Sequence, residues 1–398
     1  MAPSGYVAVA TSEKIDTEKG ELLEPTNPIY ILAAEPEKRS CRKGRVLIRI
    51  VALVFGFFFA AHALKAMHHR CASTFFGFED NVNAWELASE SFEVDPATVN
   101  AIDVSVTGAV LAKIKTELSE DKNIAVSFKA LSKNPATEAN ITVTHEVDAE
   151  GTLRIVVEAS LDYASMQTVS GAADNDTSIE ADDDVVVDLT MYLPQSKTKA
   201  GTNLKIVAPK AGVSGGDLTN LALGTVDVNV NSGAVTFKGA KAQVFILGVQ
   251  NGGINGAFYD YLSFSAEAEN GAINIDQLRS NQNGPTNVHL AVKTGGISVN
   301  KVEFAQNYVN VVDVSAQNGG VKLFVRDSFH GDFEVKTEVG ALKVSADTSG
   351  LEITDNIRTP TGGVIEGTFR KSGSVEDGTI NVSVGVGAAD VKFTSNGF

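Results

Sequence analysis

Asp260, Asp276, Asp313 and Asp327 recur near the ends of a repeating sequence unit, and two carboxylates held across a groove are the machinery of glycoside hydrolysis. Tyr259, Tyr261 and Tyr308 stand near them in the chain and could offer rings for a sugar to stack on. The same acids also fall on ordinary polar strand or turn positions, and a catalytic pair needs a separation that only folding supplies. The histidines offer no better lead. His62 lies in an apolar run, His68 and His69 follow it, and His145, His289 and His330 are isolated, with no His-x-x-x-His or Cys-x-x-Cys string to hold a metal. No catalytic, cofactor-binding or metal-ligating residue is therefore assigned.

An acidic stretch, residues 174–184, is the one place where oxygen ligands for calcium gather: Asp174, Asp176, Glu180, Asp182, Asp183 and Asp184. It lacks the glycine turn and closing glutamate of an EF-hand loop, and runs of like charge repel and stay solvated, so a loop is expected.

Other groups invite modification or capture. Three Asn-x-Ser/Thr sequons, at Asn140, Asn175 and Asn381, are candidate N-glycosylation sites. Cys41, in a basic stretch beside the apolar run, is a candidate for palmitoylation. In the first forty residues, Glu18 with Leu22 and Leu23 resembles an acidic di-leucine sorting signal, Asn27-Pro28-Ile-Tyr30 an NPxY signal, and Tyr6-Val-Ala-Val9 a tyrosine-based motif. A mobile tail can present such side chains to an adaptor groove.

The segment between these groups determines where they reside. Residues 46–67 are almost wholly apolar, about the length a spanning helix needs. Lys38, Arg39, Arg42, Lys43, Arg45 and Arg49 lie on the N-terminal side of its uninterrupted apolar centre, Ile50 to Ala61, against Lys65 and Arg70 on the other side, so the positive-inside rule keeps the N-terminus cytoplasmic. More than forty mostly polar residues precede the run, which favours an uncleaved signal-anchor over a cleaved signal peptide. The expected organisation is a cytoplasmic tail (1–44), an anchor helix (45–67), a stalk (68–98), a hairpin and strand region (99–230) and a repeat region (231–398). All three sequons then lie on the extracellular or lumenal side. Cys41 and Cys71, the only cysteines, would sit on opposite membrane faces and could not pair, so the exported part owes nothing to internal disulfides.

A net charge of -16 argues against nucleic-acid binding through a basic surface. From Val99 the hydrophobic period is two, as in Ile102, Val104 and Val106, and a hairpin is expected across Gly151 between residues 141–147 and 153–157. Val185 to Leu193 reads as a strand ending at Pro194. Beyond it one phrase recurs, a polar turn residue followed by small residues and then an aliphatic: Asn231-Ser-Gly-Ala-Val, Asn251-Gly-Gly-Ile, Asn270-Gly-Ala-Ile, Thr294-Gly-Gly-Ile, Asn318-Gly-Gly-Val and Thr361-Gly-Gly-Val, with Val339-Gly-Ala-Leu as a degenerate copy. The aliphatics Val235, Ile254, Ile273, Ile297, Val321, Leu342 and Val364 are spaced about 19 to 24 apart, a repeat period. Each copy is expected to be a corner between strands of a parallel β-solenoid or rolled sheet, burying one aliphatic column and aligning Asn side chains outside it.

The string Val187-Asp-Leu-Thr-Met-Tyr-Leu-Pro194, then Leu204-Lys-Ile-Val and the repeated Asn/Thr-Gly-Gly turns, resembles the DUF4097-like adhesin family of β-solenoid domains. The likeness covers about residues 180–395 and extends back towards 95. It implies a β-rich, glycine-punctuated surface domain with no catalytic residue to carry over. The expected protein is a membrane-anchored, non-catalytic adhesin-like β-repeat that binds a protein or glycan ligand, its tail open to adaptors and its chemistry free of cofactors. The alternative is a membrane-tethered β-helical glycan-active enzyme.

Overall fold

The computed structural model describes residues 85–108, 110–132, 139–161, 185–195, 198–280, 284–305, 308–370 and 378–395. The tail, its sorting motifs, Cys41, the apolar segment, Asn175 and the acidic stretch lie outside them. Among the described residues no helix is long and apolar enough to cross a membrane.

The described chain is strand almost throughout. β1 (Trp85–Val94) leads through one 3-10 turn, Pro96–Thr98, to β2 (Ala101–Gly108), β3 (Leu111–Ser119) and β4 (Ile124–Ser132). The expected hairpin follows as β5 (Ala139–Val147) and β6 (Thr152–Leu161), antiparallel in unbroken register. Its turn is built locally. Gly151 takes φ +79, and Asp148 accepts through Oδ1 from the backbone N–H of Glu150 (3.0 Å) and of Thr152 (2.8 Å). Those bonds, the Thr152 N–H foremost, with Arg154 3.1 Å from Oδ2, hold the Asp148 carboxyl below its usual range.

β7 (Val185–Pro194) precedes a 57-residue extended run, β8 (Asn203–Tyr259), which winds through three coils. β9 (Ser263–Arg279) makes one more. Then the corners separate the strands into pairs: β10 (Thr286–Thr294) with β11 (Ile297–Glu303), and β12 (Asn310–Asn318) with β13 (Val321–Arg326). Pairing is parallel from coil to coil, Val288 opposite Phe264 and Val312 on one face, Ile297 opposite Ile273 and Val321 on the other. The residues of these rows are buried, so alternation within a strand becomes a continuous apolar column along the stack. Phe237, Phe245, Phe258, Phe264 and Tyr261 fill its centre, with ring centroids 4.8 to 6.0 Å apart.

The corners require glycine for two reasons. Gly252, Gly295 and Gly340 have φ of 144°, 134° and 146°, and a Cβ on any of them would be driven into the carbonyl oxygen of the corner glycine in the neighbouring coil.

The C-terminal coils depart from chain order. β14 (Gly331–Val339) and β15 (Leu342–Ala346) do not stack on β12 and β13. The chain goes on through β16 (Leu351–Arg358) and β17 (Gly363–Phe369), and only then do β18 (Gly378–Val386) and β19 (Ala389–Thr394) enter between them. β18 pairs in parallel with both β12 and β14, and β19 with both β13 and β15. Thr361-Gly-Gly-Val364, expected as a coil corner, is instead the turn of the antiparallel hairpin β16–β17. Pro360, which has no N–H to donate, sits in a turn closed by Thr359, whose N–H bonds the Gly362 carbonyl at 2.9 Å and whose Oγ1 accepts from the Gly362 N–H at 2.9 Å. The corner that takes its place is Val386-Gly387-Ala388-Ala389, with Gly387 packed on Gly319. It carries neither Asn nor Thr, which is why the turn phrase did not mark it.

The N-terminal end is arranged alike. β2 and β3 pair in parallel with the first coil of β8, and β6 and β7 stack outside them, so parallel coils extend well before residue 231. Antiparallel strands then cap both ends: β5 on β6, β4 on β7 and β1 on β4 at one, β17 on β14 and β16 on β17 at the other.

Two measurements check this account. Gly295→Ala is expected to destabilise the domain by at least ~3 kcal/mol in denaturant unfolding, while Gly212→Ala, where a Cβ meets nothing within 4 Å, changes it by less than ~0.5 kcal/mol. Because the folded-state pKa of Asp148 is depressed, its contribution is present above the ordinary carboxylate pKa and lost as pH falls through the lowered one. The melting temperature of Asp148→Asn should therefore lie below wild type at neutral pH and converge with it in acid.

Candidate functional surface

With one face of each stacked coil strand committed to the column, the remaining residues of those strands form rows on the outside. On the face built by β9, β11, β13 and β19, register aligns Asn255, Asn274, Ser298, Lys322 and Asp390; beyond them Asn300 meets Asp276 and Phe324 lies opposite Lys392, with a register shift between β11 and β13 separating the two pairs. These groups bond along the rows. Asn274 Nδ2 donates to Asn255 Oδ1 at 3.3 Å, Asn300 Nδ2 to Asp276 Oδ1 at 3.3 Å, and the Lys322 ammonium lies 4.7 Å from the Phe324 ring centroid. At the corner above, Asn270 Nδ2 donates to Asn251 Oδ1 at 3.0 Å, one rung of the expected asparagine ladder, and Thr294 takes the next position. On the other face His289, Asp313, Asn381 and Glu334 share a row.

The acids singled out from the sequence are dispersed around the coil. Asp276 and Asp313 face outward on different faces, Asp276 bonded to Asn300 and Asp313 to Asn381 Nδ2 at 2.8 Å. Asp260 lies at the second corner of the coil, the only non-glycine residue among those described with positive φ (55°), and pairs with Lys241. Asp327 occupies that same corner line after β13. Among the described residues no three His, Cys, Asp or Glu are grouped to hold a metal ion. Of the tyrosines, Tyr259 reaches Gln277 at 3.4 Å, and Tyr261 is fully buried against Phe264, so it offers no ring to a ligand.

Gly212-Val-Ser214-Gly-Gly216 has the Gly-x-Ser-x-Gly spacing of a hydrolase nucleophile elbow. That elbow needs a sharp strand-to-helix turn, whereas Ser214 lies mid-strand in β8 opposite Lys115. The described residues also contain a shallow cleft of about 180 Å³ at the second corner, lined by Gly201, Leu223, Ala242 and the Lys241–Asp260 pair. Asn140 is exposed on β5, and Asn381 is exposed in the middle of β18.

A parallel β-solenoid with glycine corners and antiparallel caps is the class this fold defines. The chain belongs to the Toastrack DUF4097 family, whose model matches residues 99–397. Among solved structures it is similar to a candidate cell-adhesion protein from Clostridium sporogenes (12% identity over 77% of this chain and 99% of that one, TM-score 0.25). It is also similar to candidate adhesins from Bacteroides fragilis (12%, 77% and 97%, 0.24) and Parabacteroides merdae (11%, 76% and 95%, 0.28). The family membership rests on the match over 99–397 and not on these distant likenesses. No match was found among curated proteins.

Tyr261 supplies a test of the column beneath this surface. Its hydroxyl has no hydrogen-bond partner among the described residues, and burial pushes the phenol far above its ordinary pKa. Removing an unsatisfied buried hydroxyl relieves a desolvation cost, so Tyr261→Phe is expected to raise unfolding stability by ~1 kcal/mol.

Proposed function

We propose that this chain is a single-pass membrane protein that displays its Toastrack solenoid on the extracellular or lumenal side as a non-catalytic binding surface. The placement is supported by the apolar run 46–67 and by the excess of Lys and Arg before it. The observation that carries the binding role is the outward organisation. Amides and carboxylates engage one another along straight rows, Asn255 with Asn274 and Asp276 with Asn300, instead of converging on a point where a bond could be cleaved. A regular row of hydrogen-bonding groups beside a ring such as Phe324 suits an extended protein or glycan ligand, which gains many modest contacts over area. The tail, with its di-leucine and Asn-Pro-x-Tyr strings, serves adaptor capture on the cytoplasmic side.

The placement and the surface are tested separately. Protease added to intact cells or sealed vesicles should remove the region after Cys71 only when it reaches the non-cytoplasmic side, leaving an N-terminal tag protected. With protease on the non-cytoplasmic side, degradation of the tag with the solenoid spared would end the topology reading. Full-length protein in nanodiscs should be retained on an array of extracellular polysaccharides and matrix proteins, with Asn274→Ala/Asn300→Ala weakening retention by about tenfold at unchanged melting temperature, worth ~1.4 kcal/mol. Retention on no surface, or undiminished in the double variant, would remove this face from the reading.

A further inference from the structure

The solenoid has four strands with only one hydrogen-bonded neighbour among the described residues: β1, β5, β15 and β16. A free strand edge is a template for pairing with another chain unless bulges, charges or short length blunt it. Three of the four are blunted. β1 has a register break between Glu86 and Ala88 and carries Glu86, Glu90 and Glu93. β16 has a break between Ile353 and Asp355 and carries Glu352, Asp355 and Arg358. β15 is five residues long, carries Lys343, and has its Leu342 carbonyl occupied by Arg358 Nη1 at 2.9 Å.

β5 has none of these devices over most of its length. Its nine residues pair with β6 without a break, and Ile141 and Val143 pack on the core. The opposite side presents Asn140, Thr142 and Thr144, uncharged and exposed, before Glu146 ends the row. His145 is turned to the other side, stacked on Phe92 at 3.7 Å. It is this long, regular, uncharged edge that carries the sequon Asn140-Ile-Thr142.

We propose that Asn140 is N-glycosylated and that the glycan is the guard of the β5 edge. The inference rests on the exported placement proposed above. In the transfer, Asn140 Nδ2 forms a bond to the anomeric carbon of a lipid-diphosphate-linked oligosaccharide, the lipid diphosphate leaves, and the amide gives up one proton. A bulky, hydrated group on an outward position of an edge strand bars a second strand from docking while leaving Ile141 and Val143 in place. Asn381 is differently situated. It lies on β18 between β12 and β14, and its Nδ2, the atom a glycan would take, already donates to Asp313 at 2.8 Å.

The test uses the full chain, expressed in a eukaryotic secretory host with a reporter sequon appended after Phe398. Glycosidase release in heavy-oxygen water followed by mass spectrometry should find Asn140 and the reporter occupied. Asn140→Gln and Thr142→Ala should each lose that glycan and raise the light-scattering mass of the purified protein at least about twofold, while Asn140→Lys, which puts a charge on the edge, stays monodisperse without a glycan. An occupied reporter with Asn140 empty, or with Asn381 occupied in its place, overturns the proposal and leaves the export reading intact. An empty reporter overturns the export reading, and the glycan with it. A glycan at Asn140 whose loss leaves both Asn140→Gln and Thr142→Ala monodisperse overturns the guarding role.

Discussion

Where each coil turns from one face to the next, its corner glycine lies directly against the backbone of the corner in the coil before it. From Gly252 through Gly271, Gly295 and Gly319 to Gly387 and Gly340, no side chain fits between one carbonyl and the next α-carbon. This contact fixes the register of every coil on its neighbour, because a slip of one residue would bring a Cβ into the space and turn the aliphatic rows outward. The buried columns, Phe264 over Val288 over Val312 and Ile273 over Ile297 over Val321, follow from that alignment.

The exterior is a consequence of the same constraint. Once inward residues are aligned, outward residues are aligned too, at the strand spacing of about 4.8 Å that brings amides into hydrogen-bonding range. Each exposed bond is weak by itself. Their collective effect is geometric: Asn255, Asn274, Asp276 and Asn300 are held in rows that a flexible surface would not keep. A stack of this kind builds area easily and a pocket with difficulty, which is why the outer faces, and not the small cleft beside Lys241 and Asp260, dominate the functional reading.

A stack must also end. A parallel coil exposes backbone groups along its last strands, and this chain meets that problem with antiparallel strands at both ends. It also places its terminal coils out of chain order, β2 and β3 inside β6 and β7, β18 and β19 inside β14 and β15. Each inner coil is thereby hydrogen-bonded on both sides, and the last coil of the chain is locked between two others.

Much of the architecture was legible from residues 231–342 because the determinants there are local. A glycine after Asn or Thr makes a corner, alternation makes a half-buried strand, and the repeat period follows from both. The hairpin across Gly151 was legible for the same reason, since Asp148, Gly151 and Thr152 build the turn among themselves. Stacking order was not local. The inward rows of β12, β14 and β18 carry residues of one kind, Val314, Val335 and Val382 among them, so each coil could pack on either of the others. Only the whole chain, with the β16–β17 hairpin occupying the outer side of β14, decides that β18 enters between them. For that reason Thr361-Gly-Gly became a hairpin turn, Val386-Gly387 became a corner without a polar residue to announce it, and Asp260, Asp276 and Asp313, close in the repeat pattern, ended on different sides of the coil.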